Sequence, residues 1–150
     1  MSTELARRSV NKSVEKEVSL LKRRLRDTVF EVFLPAYIEH FAKELTRSIV
    51  DVTGVEERAI IYEAGFSPRD VVEHKLKLAR HGIDKVYEAR GELYYRATFH
   101  KHENGAIREY DVLVEADAHG IGDTPRMFGL LILDIAEPVK IDIDVKTRRA

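Results

Sequence analysis

Asp111 and the run Asp144-Val145-Lys146 are the residues whose types and spacing most directly suggest chemistry. Two carboxylates on neighbouring strands can hold a divalent metal, and a lysine two residues beyond the second points to the same side of its strand. Metal-dependent phosphodiester cleavage is a chemistry that such a pair of carboxylates could support. A second set is His100, His102 and Glu109. The histidines are spaced by two and so share one face of a strand, with Glu109 opposite His100. Two imidazoles and a carboxylate are ligands for zinc or iron, but this pair sits beside an exposed turn and reads first as solvated polar surface.

The order Asp, then Asp-x-Lys, resembles the PD-(D/E)xK nuclease superfamily. The resemblance implies Asp111 as first metal ligand, Asp144 as second, Lys146 as catalytic lysine, and a divalent metal as cofactor of a nuclease or its inactive relative. It covers only these strands. The separation of 33 residues between the two aspartates is long for that family. The alternative strand, Leu133-Asp134-Ile135-Ala136, has alanine where the lysine would stand. Outside this reading no cofactor is expected.

Charge points elsewhere. Residues 1–28 hold eight basic and four acidic side chains, whereas residues 51–150 hold 15 basic and 19 acidic ones. The net charge of −1 therefore hides a basic N-terminal arm and an acidic remainder. Lys22, Arg23, Arg24 and Arg26 are its densest part, and such a run can neutralise phosphates. The expected function is a non-enzymatic, oligomeric binding or assembly protein, with nucleic acid as the partner the basic helix fits. The plainer reading of the same run is a solvated helix face, or an arm that meets the acidic sheet of a neighbouring subunit. Tyr94 beside Arg96 could stack a base. The segment Ala118-His119-Gly120-Ile121-Gly122-Asp123 lacks Gly-x-Gly-x-x-Gly spacing and reads as a connection.

Composition narrows the field. With no Cys, thiolate metal sites, disulfides and cysteine nucleophiles are excluded. Gln is absent, Asn occurs only at positions 11 and 104, and 34% of residues are charged, a balance that fits a hot habitat. The apolar stretch Met127 to Leu133 is far short of the roughly 20 residues that span a bilayer. The N-terminus has no apolar leader, so a cytoplasmic location is expected.

These side chains need elements to position them. Residues 1–12 read as polar and frayed. From Ser13 the apolar positions Val14, Val18, Leu21, Leu25 and Val32 follow an a/d seam, which can pair with another subunit or with the chain's own core. Pro35 interrupts, and helical periodicity resumes over 36–52 until Gly54 caps it. Ser67-Pro68-Arg69-Asp70 has the cap and first-turn residues of a helix start, predicting a helix over 68–81 that stops at Gly82.

The second half changes period. Leu93, Tyr95, Ala97 and Phe99 alternate with polar residues, as do Tyr110, Val112, Val114 and Ala116. A two-residue turn at Asn104-Gly105 pairs Phe99 with Tyr110, Ala97 with Val112, Tyr95 with Val114 and Leu93 with Ala116. A slip of one residue destroys that match. Further strands are expected over 83–89, 128–135 and 139–146, with Glu137-Pro138 as a break. The fold class is α+β: N-terminal helices, then an antiparallel sheet of about four strands with helices packed on one face. Residues 1–28 form a basic helical arm that joins subunits through Val14, Val18, Leu21 and Leu25. Residues 29–150 form the α+β domain.

Overall fold

The computed structural model describes residues 2–32, 38–78, 82–122 and 132–149. Two helices, α1 (Ser2–Val32) and α2 (Ile38–Thr53), precede a 3-10 turn over Glu57–Ala59. Four strands follow: β1 (Ile61–Leu78), β2 (Gly82–Glu103), β3 (Ala106–Gly122) and β4 (Ile132–Arg149). They form one antiparallel meander in the order β1-β2-β3-β4. The architecture is α+β, with both helices on one face of the sheet.

The central hairpin has the register that its alternation demands. Leu93 faces Ala116, Tyr95 faces Val114, Ala97 faces Val112 and Phe99 faces Tyr110. Asn104 (φ 52°) and Gly105 (φ 74°) both occupy the left-handed region, as a type I′ turn requires. These eight side chains are buried and form the sheet's share of the core. The helices supply Leu21, Leu25 and Val29 from α1 and Phe41, Leu45 and Ile49 from α2. Two polar links lie within that apolar layer. Thr28 and Ser48 share a 2.6 Å hydroxyl bond between the helices, and Thr46 joins the Tyr95 hydroxyl at 2.7 Å. Gly54, at φ 74°, ends α2 by donating its N–H to the Val50 carbonyl at 2.9 Å.

Several expectations are corrected. Residues 2–12 are helical rather than frayed: no Gly or Pro interrupts the chain before Pro35, and Leu5, Ala6, Arg7 and Arg8 are strong helix formers. Of the two roles open to the α1 seam, pairing with another subunit or with the chain's own core, the second is seen. Leu21 and Leu25 are wholly buried in its own core, with Val18 packed beside them and Val14 half-buried.

The helix expected over 68–81 is strand as far as Leu78. Residues 61–78 are β1, paired residue by residue with β2, from Ile61 opposite Thr98 to Leu78 opposite Gly82. The Ser-Pro signal is local, and pairing with the first half of β2 outweighs it. Pro68 is accommodated because β1 is an edge strand and the register shifts between Pro68 and Asp70, leaving Arg69 looped out of the ladder. Gly91 makes that bulge possible: a Cβ there would lie 2.1 Å from the Ser67 carbonyl oxygen. Gly82, read as a helix stop, opens β2.

The expected strand over 83–89 is the first half of β2 and not a separate element. Pro138 does not break β4; it lies opposite Ala116, where the β3–β4 register shifts, again on an edge. The connection read over 118–123 is strand as far as Gly122. The interruption at Pro35, residues 79–81 and residues 123–131, including the start of the 128–135 strand, lie outside the described residues.

Candidate functional site

One face of the sheet packs on the helices; the other is uncovered by any element among the described residues. Strand parity places Asp111, Asp144 and Lys146 together on that open face. Asp111 stands directly opposite Asp144, and Lys146 opposite Glu109. A shallow hollow of about 320 Å³ lies here, with Arg96, Asp111, Leu113, Asp142 and Asp144 among its walls. Thr98 donates to Asp111 at 3.0 Å. Like charges directly opposite on adjacent strands are unfavourable. Yet among the described residues no three His, Asp or Glu side chains converge closely enough to hold a metal ion. Asp111 and Asp144 therefore stand as a pair of carboxylates and not as part of a larger ligand set. Arg96 lies over the Tyr94 ring, 5.9 Å from its centroid. The Tyr94 ring also covers Gly65, whose missing Cβ leaves the space it occupies.

His100 stands opposite Glu109, with Nε2 3.9 Å from Oε1. His102 stands opposite Ile107 and contributes no third ligand to that pair. Both histidines line a separate hollow with Thr53, Gly54 and Glu56.

The four cations of α1 do not share one direction. At 3.6 residues per turn, Lys22 and Arg26 are about 40° apart and Arg23 is about 60° from Arg26, whereas Arg24 is about 160° from Arg26. Arg23, Arg24 and Arg26 are exposed and Lys22 is half-buried. Arg24 leans toward α2, 3.8 Å from Asp51. Among the described residues, Lys22, Arg23 and Arg26 have no carboxylate at ion-pair distance. They form one basic flank.

That flank is held rigidly because the opposite side of α1 is locked to the sheet by a polar cluster. Glu17 accepts from Lys101 and, at 2.9 Å, from the Tyr110 hydroxyl. Arg108, only 1% exposed, lies 3.6 Å from Glu17 and bonds Glu103 at 2.8 Å. Burial, then the acceptor Glu17, pushes the Tyr110 hydroxyl up to about 12. Glu17 was missed in the sequence, but a signal existed. The apolar face of the hairpin continues past Phe99 and Tyr110 to Lys101 and Arg108, and two cations on a greasy face require a buried acid.

A third group went unread because three strands must come into register to assemble it. Glu88 on β2 bonds His74 of β1 at 3.0 Å and His119 of β3 at 2.8 Å, one imidazole on each oxygen. The hydrogen bond from His119, then that from His74, holds the Glu88 carboxyl below its ordinary 4.5. A depressed carboxylate contributes stability above its unfolded value, and that contribution is lost as pH falls through the folded one. Glu88→Gln is therefore expected to lower the urea midpoint well above pH 4.5 and to leave it unchanged well below. Equal midpoint losses at both pH values would show that the cluster has no electrostatic role.

No helix among the described residues is long and apolar enough to cross a membrane. Comparison with protein families, with characterised proteins and with solved structures finds no match for this chain.

Proposed function

We propose that this chain is a non-enzymatic binding protein that engages the phosphate backbone of nucleic acid along the basic flank of α1. The observation that carries the reading is the set of Lys22, Arg23 and Arg26, uncompensated on a helix whose other side is fixed to the sheet. Rigid placement matters because ordering long cationic side chains costs less when their backbone is already held. Each phosphate neutralised releases condensed counterions, so binding weakens with salt in proportion to the number of contacts.

The test is binding of a duplex DNA fragment as a function of salt. Replacing Lys22, Arg23 and Arg26 together by alanine removes up to three contacts and is expected to reduce the log–log salt slope by about 2 to 3. Arg24→Ala is expected to change it by less than about 1, because its guanidinium is turned toward Asp51. Absence of binding at about 50 mM salt, or a triple variant with the slope of the parent, overturns the proposal.

A further inference from the structure

We propose that β1 pairs with itself: two copies join edge to edge, antiparallel, about a two-fold axis at Phe66, giving one continuous eight-stranded sheet. The inference does not depend on the nucleic-acid reading. Among the described residues, four of the six large apolar side chains left exposed lie on this one strand, namely Ile61, Tyr62, Val71 and Val72. β1 is also an edge, so its outer row of backbone donors and acceptors is open, except at Pro68, which has no N–H to give. The other edge differs. β4 carries Lys140, Asp142, Asp144 and Lys146 in alternation, the charged pattern that discourages edge pairing.

The spacing on β1 is self-complementary. With the two-fold at Phe66, and with Arg69 looped out as it is opposite β2, Tyr62 stands opposite the partner's Val71 and Ile61 opposite the partner's Val72. Faces agree as well as positions. Register with β2 puts Ile61 and Val72 on the open face, and Tyr62 and Val71 on the helix-covered one. Residues directly opposite in an antiparallel pair share a face, so each apolar side chain meets another.

The one charged row at the junction is balanced. Glu63 comes opposite the partner's Asp70, but Glu63 is already opposite Arg96, and Asp70 opposite Arg90, across β2. The row runs cation, anion, anion, cation. The occupant is a second copy, since an isologous contact needs one patch matched to itself. Eleven residues between Ile61 and Val72 pair on each side, Arg69 being looped out. That is about half of the 20–30 in a standard interface, so the dimer is a weak one, with Kd on the order of micromolar.

The chain has no cysteine, so single cysteines report cleanly. The full chain is expected to sediment as a concentration-dependent dimer. Ile61→Cys and Val72→Cys, both at exposed positions, are expected to form disulfide-linked dimers several-fold faster when mixed than either does alone. Ile61→Lys with Val72→Lys is expected to give a monomer with an unchanged circular dichroism spectrum. A parent chain that is monomeric at about 1 mM, well above a micromolar Kd, overturns the proposal. So does cross-linking that is equal in the mixed and unmixed samples. Preferential cross-linking of Ile61→Cys to Asp144→Cys would mean head-to-tail addition of β4 and would likewise overturn it.

Discussion

Replacing Glu17 with alanine is expected to lower stability by about 3 kcal/mol, the low end of the cost of stripping one partner from a buried ion pair. The low end applies because Arg108 keeps Glu103 at 2.8 Å. What is lost is the acceptor for the Tyr110 hydroxyl and for Lys101, and the nearer anchoring of α1. Arg108 already has one buried nitrogen, Nε, without a hydrogen-bond partner. Removing Glu17 adds to that deficit rather than exposing a group that water can solvate. Denaturant melts of Glu17→Leu, Arg108→Leu and the double variant check the claim. A coupling energy of about 1–3 kcal/mol is expected. Additive losses would mean that the two side chains act separately.

Tyr95→Ala is expected to cost about 3–5 kcal/mol, the range for truncating a fully buried aromatic. The ring is wholly buried, stacks on Tyr62 at 5.7 Å and meets the edge of Phe41 at 6.4 Å. Tyr95→Phe separates the hydroxyl from the ring. It should cost about 1 kcal/mol, because Thr46 retains its 2.8 Å bond to the Ala42 carbonyl. Chemical denaturation of both variants distinguishes the contributions. A phenylalanine variant as unstable as the alanine one would place the energy in the hydroxyl bond instead. Against a typical total of about 5–15 kcal/mol, either alanine substitution brings the chain close to unfolding.

The hairpin was legible because its two strands carry a strict period of two about a turn that only one register satisfies. Leu93 through Ala116 could be paired on paper because every residue that decides the register lies within the hairpin itself. The a/d seam of α1 and the glycine that caps α2 were legible for a similar reason. β1 was not. Its Ser-Pro-Arg-Asp run has the chemistry of a helix start, and what overrules it is the close approach of Gly91 and the length of β2, neither of which is local. The candidate sites divide the same way. Parity alone put Asp111, Asp144 and Lys146 on one face, whereas His74, Glu88 and His119 meet only after three strands are aligned.

The helices precede the sheet in the chain, and this has a consequence for synthesis. Leu21, Leu25, Phe41 and Leu45 emerge from the ribosome well before Tyr95 and Val114, which cover them. At about 5–20 residues per second, the stretch from Thr53 to Val114 takes roughly 3 to 12 s to translate. During that interval the nascent helical pair has only its own mutual contacts, the Thr28–Ser48 bond among them, to shield its greasy side. That exposure ends only when the hairpin closes over Leu21, Leu25, Phe41 and Leu45.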